Sequence, residues 1–244
     1  MRSFAVKDRR NIAKPNLLLA GLPAEDFGLL EPHLREVVLA QGMVLQEQGE
    51  RIEHVYFPRD GIISLLTVMQ QGAAIEIATV GREGAVGAVA GMAPRQSLTR
   101  AVVQIAGAAS RISVSAFRSA VKKSGGIRDI IVSSSEILLV QVQQTAACNA
   151  LHDVEARLSR WLLHARDRMD GDTIQLTHEF LSQMLGVRRT TVTVVAAMLQ
   201  RAGLIRYARG HIRILDRPGL EARACECYTA IRQNIARVSA PADA

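Results

Sequence analysis

Cysteine is scarce in this chain, which has only Cys148, Cys225 and Cys227 among its 244 residues. Three thiols form neither an even disulfide framework nor one of the usual zinc sets, whose ligands are closely spaced. They are also too few, and too far apart in sequence, to supply the four thiolates of an iron–sulfur cluster. The sequence therefore predicts a reduced, cytoplasmic chain with no metal site and no cofactor.

Long apolar runs and catalytic motifs are also lacking. No run approaches the roughly 20 apolar residues that span a bilayer, so no membrane partner is expected. The scattered charges of the N-terminus do not form a signal peptide. We find no glycine-rich phosphate loop and no nucleophile beside a base, and Gly81–Gly84 reads as a tight β-turn. These absences favour a binding protein over an enzyme.

Lysine is missing from the basic C-terminal part of the chain. The net charge is +7 and the isoelectric point is near 9.9, which suits a polyanionic partner. Residues 151–244 carry 14 arginines and no lysine against 10 acidic residues. Arginine pairs with phosphate and guanine through a planar fork that lysine does not have. A nucleic-acid partner is therefore expected for this part of a chain long enough for about two domains.

A helix-turn-helix pattern lies between Thr177 and Leu204. Its first half is predicted to be a helix that buries Phe180, Leu181, Met184 and Leu185. Thr177 is placed to cap this helix with its hydroxyl, and Gly186 to end it in a left-handed conformation. A second helix follows, with the predicted inward residues Val192, Val195, Ala196, Met198 and Leu199.

The N-terminal end of the second helix is rich in residues suited to DNA. In helix-turn-helix proteins this end meets base edges in the major groove, where arginine pairs with guanine and threonine offers a hydroxyl and a methyl group. Leu204–Leu215 follows as two predicted strands around a turn, a β-wing with a tip suited to phosphate. The residues predicted to contact DNA are Thr177, His178, Arg188, Arg189, Thr190, Thr191, Thr193, Arg209 and His211.

Upstream of these helices the pattern is first helical and then β. Residues 15–36 look helical and amphipathic, whereas from about Val37 to Ile112 the period drops to two and glycines recur. Many short strands at this spacing predict a small antiparallel barrel or jelly roll. The strand candidates are Val38–Leu39, Met43–Leu45, His54–Phe57, Ile62–Leu66, Ala74–Ala78 and Ala101–Ile105.

A long helix is predicted from Ile127 to about Leu151, after a short helix that the Gly125-Gly126 pair breaks. It has more apolar surface than one small barrel should cover, so we expect it to bury a face against a second copy of the chain. Burial against the chain's own barrel is the alternative. Asp153 is placed to cap a further helix, to about Met169. Its predicted inward residues are Leu158, Trp161, Leu162 and Ala165, and its outward ones Arg157, Arg160 and Arg166.

This order of elements resembles the Crp/Fnr family of bacterial transcription regulators, from about Leu17 to Leu220. The resemblance is carried by Gly42, Gly49, Tyr56-Phe57 before Gly61, Asp153 and Leu176–Ile214. It implies an α+β fold and a homodimer on double-stranded DNA, at an inverted-repeat operator, with contacts to RNA polymerase. The implied parts are an N-terminal helical segment (1–36), a jelly-roll type sensory β-roll (37–124), a dimerisation helix (125–152), a winged helix-turn-helix (153–220), and a C-terminal helix and tail (221–244).

The phosphate cassette of the family's cyclic-nucleotide binders is not preserved here. In Val80–Val89, Ala85 or Val86 stands where the family has its glutamate, and Val142-Gln143 replaces the Ser/Thr pair that reads adenine. A cyclic phosphate in a closed pocket needs a paired cation, so we expect an unidentified effector rather than cyclic AMP. Cyclic-nucleotide response is the alternative. The candidate pocket residues are Arg82, Glu83, Arg95, Arg100 and Gln143.

The recognition helix also departs from the family pattern. Members commonly begin this helix with an Arg-Glu pair and place a second arginine one turn later. Here Thr190 follows Arg189, and Val194 takes the place of the second arginine. Arg189 can still pair with guanine, but Thr190 cannot select cytosine as an acid would. We therefore expect an unusual half-site, with a weakly selective nucleoid-type DNA binder as the alternative.

Metal and redox chemistry find little support in the sequence. A cupin-type metalloenzyme needs two or three histidines in its barrel, and His54 is the one histidine between Val37 and Ile112. The family's oxygen-sensing branch uses N-terminal cysteines, and none precedes Cys148. We expect Cys148 to be an inert core residue, with a redox sensor on the dimerisation helix as the alternative. Cys225 and Cys227 are placed in the last helix without a role. A haem ligand would have to come from His33, His54 or His152, which we expect to be structural.

Overall fold

The computed structural model describes residues 16–169 and 171–239. The rest of the predicted N-terminal segment, the end of the predicted tail and Asp170 lie outside the described residues. The N-terminal segment is helical in pieces: α1 (Leu17–Ala20), α2 (Ala24–Leu30) and a 3-10 turn (Glu31–His33). Asn16 fixes it to the domain that follows. Its Oδ1 accepts from the backbone N–H groups of Leu18 and Leu19, and its Nδ2 donates to the carbonyls of Pro58 and Gly84.

Two antiparallel sheets form the predicted β-roll. One has the order β1-β7-β3 and the other β2-β6-β4-β5, and their apolar faces enclose the core. The sequence missed β7, because Gly107–Ser113 consists mostly of small and polar residues. The strands are β1 (Arg35–Leu39), β2 (Val44–Gln46), β3 (His54–Pro58), β4 (Ile62–Val68), β5 (Ala74–Val80), β6 (Arg100–Ile105) and β7 (Gly107–Ser113).

The long helix is present, and it begins earlier than predicted. Helix α3 spans Val114–Val121 and α4 spans Gly125–Leu151. The Ser124 hydroxyl accepts from the N–H of Ile127 at 3.0 Å, so Gly125 and Gly126 form the first turn of α4 and do not break a helix. That prediction was wrong because the serine cap outweighs the low helix propensity of glycine. Among the described helices, none is both long and apolar enough to cross a membrane.

Helix α5 (Val154–Asp167) is capped by Asp153 as predicted, with Oδ1 accepting from the N–H of Ala156 at 2.8 Å. Every residue from Arg157 to Ala165 is buried. Arg157 and Arg160 were predicted to face solvent, and this is wrong. Neighbouring elements pack around α5 on several sides, so the helix has no solvent face over these two turns.

The C-terminal part is a winged helix-turn-helix followed by two helices. Its small sheet has the order β8-β10-β9, and the strand β8 was not predicted. The last helix, α9, runs back to the end of α4 and packs against it. The elements are β8 (Thr173–Gln175), α6 (His178–Leu185), α7 (Arg189–Arg201), β9 (Ile205–Ala208), β10 (His211–Ile214), α8 (Arg217–Arg223) and α9 (Cys227–Ser239).

Candidate DNA interface and effector cavity

The turn between α6 and α7 has the local geometry that the sequence predicts. The Thr177 hydroxyl accepts from the N–H of Phe180 at 3.3 Å, and Gly186 ends α6 with a φ of 63°. Val192, Val195, Ala196 and Leu199 are buried beneath α7. Met198 is 41% exposed, so its predicted inward placement is wrong. It lies at the edge of the helix face that the four buried residues form.

The N-terminal end of α7 presents a polar, cationic surface. Arg188, Arg189, Thr190 and Thr193 are exposed, and Thr191 is half-buried. The Arg188 side chain makes no capping hydrogen bond, so the first N–H groups of the helix point outward with the positive end of its dipole. Such an end attracts phosphate, and the side chains beside it can reach base edges.

His178 is held beneath this surface by contacts within the protein. Its ring stacks on Tyr207 with a centroid distance of 4.3 Å, and its Nδ1 lies 2.9 Å from the Thr193 hydroxyl. Burial, and then the charge of Arg189, lower the pKa of His178, which favours the neutral ring. Through these contacts His178 joins α6 to α7 and β9.

The wing tip is a two-residue turn between β9 and β10. Arg209 has a φ of 48° and Gly210 a φ of 78°. Two positive φ values are what a type I′ hairpin turn requires. Arg209 is the single non-glycine residue with a positive φ within the described ranges. The side chains of Arg209 and His211 are exposed on this turn, where the sequence places the phosphate contacts.

A cavity of about 500 Å³ lies between the β-roll and α4. Its walls are mostly apolar and include Ile52, Leu65, Ile77, Leu138 and Val142. Polar groups enter from Gln46, Arg95, Gln96, Ser97, Thr99, Ser134 and Ser135. The volume suits a small molecule, and the walls suit one with an apolar body.

Of the candidate effector residues, Arg95 lines this cavity and the other four do not. Glu83 is buried in an ion pair with Arg168, and Arg100 pairs with Glu47 at 2.7 Å. Gln143 is exposed on α4, because it is Val142 that faces the cavity. Arg82 is likewise absent from the lining residues.

The cavity offers a cyclic nucleotide few polar partners. Among its lining residues there is no carboxylate to accept from a ribose hydroxyl, and Arg95 supplies the one guanidinium. Leu138 and Val142 of α4 give an adenine ring apolar contact but no specific hydrogen bond. A charged cyclic phosphate in this cavity would have Arg95 as its one charged side-chain partner among the lining residues.

Strand β5 joins this cavity to the DNA-binding part. While Ile77 lines the cavity, the neighbouring Glu76 accepts hydrogen bonds from Trp161 Nε1, at 2.9 Å, and from the Ser64 hydroxyl. Burial raises the pKa of Glu76 to about 7. Thr79 lies two residues after Ile77 on the same strand, and its hydroxyl accepts a hydrogen bond from Arg168 Nη1 at 3.0 Å.

The three cysteines, which the sequence leaves unrelated, come together with a histidine. Cys148 and His152 lie at the end of α4, and Cys225 and Cys227 at the start of α9. Their ligand atoms all lie within 4.8 Å of one another. Cys148 and Cys225 are 77 residues apart in sequence, and they meet because α9 folds back onto α4. Cys225 also precedes the helix in which it was placed.

Two family models match the chain. A cyclic nucleotide-binding domain matches residues 36–124, and a Crp-like helix-turn-helix domain matches residues 156–223. Together they span more than half of the chain. No curated protein matches it.

Solved structures share the fold at low identity. A transcriptional regulator assigned to the Crp/Fnr family from Eubacterium rectale is 17% identical, with a TM-score of 0.66, covering 84% of this chain and 96% of its own. FixK2 from Bradyrhizobium japonicum is 14% identical, with a TM-score of 0.65, covering 79% and 98%. CLP from Xanthomonas campestris is 16% identical, with a TM-score of 0.63, covering 80% and 100%. With its nucleotide-binding-type β-roll and its Crp-like helix-turn-helix, this chain belongs to the Crp/Fnr family of transcription regulators.

Proposed function

We propose that the protein is a homodimeric, non-enzymatic regulator that binds an inverted-repeat operator and contacts RNA polymerase there. A DNA operator also implies the cytoplasm as its place of action. The observation that carries the DNA-binding proposal is the uncapped N-terminal end of α7, where Arg188, Arg189 and Thr190 are exposed over a well-packed helix pair. Arg189 is assigned to a guanine, and the exposed Val194 to a thymine methyl group one turn later.

Selection of bound duplexes from a random pool, with the purified protein at physiological salt and no added ligand, tests this proposal. We expect an inverted repeat with half-sites about 34 Å apart, because two-fold protein symmetry imposes it. Strong binding without selection would instead support a nucleoid-type binder. Absence of binding, with and without the candidate effectors below, would contradict the proposal.

Three substitutions separate base reading from phosphate contact. Arg189→Ala should weaken operator binding by about 1–3 kcal/mol and relax selectivity at one base pair. Arg209→Asn should weaken binding to all DNA sequences alike, because it removes a charge that contacts phosphate. Asparagine tolerates the positive φ of the turn, so the wing should keep its shape. Arg201→Ala, an exposed arginine at the other end of α7, is the control and should change neither. Equal losses on all operator variants for the first two would contradict the assignment.

Dimerisation along α4 is supported by apolar surface that this single chain leaves uncovered. Val132 and Leu139, seven residues apart on α4, are 53% and 56% exposed. Met92, 56% exposed, lies with both of them along one surface groove, so the apolar surface continues onto the β-roll. A heptad spacing of apolar residues is typical of helices that pair with a second copy.

Analytical ultracentrifugation tests the dimer. Leu139→Asp should produce monomers, because it would bury a carboxylate in the proposed interface. Val38→Asp is a matched control, since Val38 is 80% exposed on β1 and outside that surface. A monomeric wild-type protein at micromolar concentration, or a dimeric Leu139→Asp variant, would refute this arrangement.

The effector is proposed to be a small molecule with an apolar body and an acidic group that pairs with Arg95. The apolar walls of the cavity and its one guanidinium support this chemistry. A cyclic nucleotide is the second candidate, because the β-roll matches the cyclic nucleotide-binding model, and CLP is described as responsive to c-di-GMP.

The fluorescence of Trp161, the one tryptophan in the sequence, should report effector binding through β5. Titration with octanoate is expected to change it in the wild-type protein. The response should be lost in Val142→Phe, which fills the cavity, and should be weaker in Arg95→Gln. If cyclic AMP or c-di-GMP changes the fluorescence and prevents octanoate from binding, the proposal of an apolar effector is wrong.

A further inference from the structure

The side chains of Cys148, His152, Cys225 and Cys227 form a compact cluster with the geometry of a metal site. The Sγ atoms of Cys148 and Cys225 are 3.5 Å apart, and Cys227 Sγ lies 3.5 Å from His152 Nδ1. In tetrahedral zinc sites the bonds are about 2.3 Å to sulfur and about 2.0 Å to nitrogen, so ligand atoms lie about 3.5–3.8 Å apart. A zinc ion therefore fits between these atoms with little movement of the side chains.

The backbone places these ligands from two directions. Cys148 lies in the last turn of α4, and His152 is the residue just after the helix, with its N–H donating to the Cys148 carbonyl at 3.1 Å. Cys225 and Cys227 belong to the junction between α8 and α9, which packs over this end of α4. The three cysteines are buried, at 0%, 8% and 0% exposure, and the His152 side chain is 22% exposed. The cluster is thus closed on most sides but reachable for an ion.

Neighbouring side chains support the ligands in the way that second shells of metal sites do. Gln144 Nε2 donates to the sulfur of Cys227 at 3.0 Å. Glu226 Oε1 lies 3.7 Å from His152 Nε2, and a small movement of this exposed side chain would let it accept a hydrogen bond there and leave Nδ1 free to bind a metal. A carboxylate behind a ligating histidine orients the ring and raises its basicity.

The local charge also suits a metal thiolate centre. Three thiolates and a neutral histidine around a divalent ion leave a net charge of −1. Arg157 and Arg160 are buried on α5, and their charges interact favourably with the Cys148 thiolate. Neither forms a salt bridge with a carboxylate of the described residues within 4 Å, so an anionic centre would compensate their burial.

We propose that Cys148, His152, Cys225 and Cys227 bind one Zn²⁺ ion in a closed, tetrahedral Cys₃His site. On binding, the thiol protons pass to solvent and the three sulfurs ligate the ion as thiolates. Four protein ligands leave no open coordination position, so the site is structural. Zinc holds α9 against α4 beside the residues that connect α4 to the DNA-binding part.

An iron–sulfur cluster fits this arrangement less well. In a cluster the thiolates are distributed over several iron atoms, with bridging sulfide between them. Here the four ligand atoms lie close to one another around a single point, which leaves room for one ion.

Metal analysis of the full chain, purified under reducing conditions without a histidine tag, tests the proposal. We expect about one zinc per chain. Cys225→Ser, Cys227→Ser and His152→Ala should each lower the zinc content at least tenfold. His33→Ala, which changes an exposed histidine outside the cluster, is the matched control and should keep all of it.

Titration of the metal-free, reduced wild-type protein with Co²⁺ keeps the test independent of whether a variant folds. The visible absorption bands of tetrahedral Co²⁺ bound to thiolates should appear at one equivalent and disappear when zinc is added. Glu226→Gln should weaken Co²⁺ binding about 10–100-fold, because it removes the carboxylate behind His152.

Three results would overturn the proposal. One is a wild-type protein that contains no zinc and shows no such bands with Co²⁺. Another is iron together with acid-labile sulfide in the purified protein. The third is a metal-free protein that forms a disulfide between Cys148 and Cys225 when it is oxidised, and that keeps its fold both with this disulfide and in the reduced state.

Discussion

Replacing Glu76 with glutamine removes an ionisable group from the contact between the β-roll and α5. Glu76 is 7% exposed and accepts hydrogen bonds from Trp161 Nε1 and from the Ser64 hydroxyl. Glutamine has the same shape, can accept from the indole with its oxygen, and can donate to the serine hydroxyl with its amide. The substitution therefore keeps the packing and removes the charge.

The free energy at stake follows from the pKa of Glu76, which burial raises from 4.5 to about 7. Below pH 4.5 the carboxyl group is protonated in the folded and unfolded states, and it favours neither. Between pH 4.5 and 7 the unfolded chain loses this proton while the folded chain keeps it, so rising pH stabilises the unfolded state. A pKa difference of this size corresponds to about 3 kcal/mol. The wild-type protein should lose that much stability relative to Glu76→Gln by about pH 8.

Urea denaturation at several pH values between 5 and 8.5, followed by Trp161 fluorescence, measures this difference. Protein concentration must be fixed, since the stability of a dimer depends on it. Other titrating groups, such as the buried His164, affect both proteins alike and cancel in the comparison. The free energy of unfolding of Glu76→Gln minus that of the wild type should be smallest at pH 5 and rise to a plateau near pH 8.

A difference between the two proteins that does not change with pH would refute this reasoning, because it would mean that Glu76 ionises normally in the folded state. A difference that falls as pH rises would refute it as well. In that case the ionised carboxylate would be stabilised by the nearby charges of Arg160 and Arg168 more than it is destabilised by burial.

Three further substitutions test local features of the fold by urea denaturation at pH 7. Gly186→Ala should cost about 1–3 kcal/mol, because φ is +63° there and the new Cβ would lie 2.7 Å from the Cδ1 of Ile75; an unchanged midpoint would contradict this. Asp153→Ala should cost about 1 kcal/mol through loss of the α5 cap, and Asp153→Asn should restore most of it. Asn16→Leu should cost at least about 2 kcal/mol, because it leaves the buried carbonyls of Pro58 and Gly84 without their donor; a neutral result would mean that water replaces it.

Features set by local sequence could be predicted here. Thr177, Asp153 and Gly186 act through backbone groups within three or four residues, so their neighbours in sequence suffice to assign them. The hairpin of β9 and β10 likewise has alternating apolar residues and turn residues of its own, and the long helix α4 contains no residue that would stop a helix between Ile127 and Leu151.

Features set by distant contacts could not be predicted. Arg157 and Arg160 look like surface residues until α5 is seen to be enclosed on several sides. Glu83 was predicted to be an effector residue because its neighbours in sequence do not indicate its partner, Arg168, which is 85 residues away. Cys148 and Cys225 are 77 residues apart, and it is the path of α9 that brings them together.

The connection between α4 and α5 is very short. Only His152 and Asp153 separate the two helices, and both are extended, with φ, ψ values of −112°, 145° and −68°, 167°. Each residue has two soft torsions, so the chain turns from α4 into the DNA-binding part through four rotatable bonds. The side chains of both residues are engaged, His152 beside Cys227 and Glu226, and Asp153 at the helix cap. In the proposed dimer, a change of a few degrees in these torsions would turn both recognition helices symmetrically.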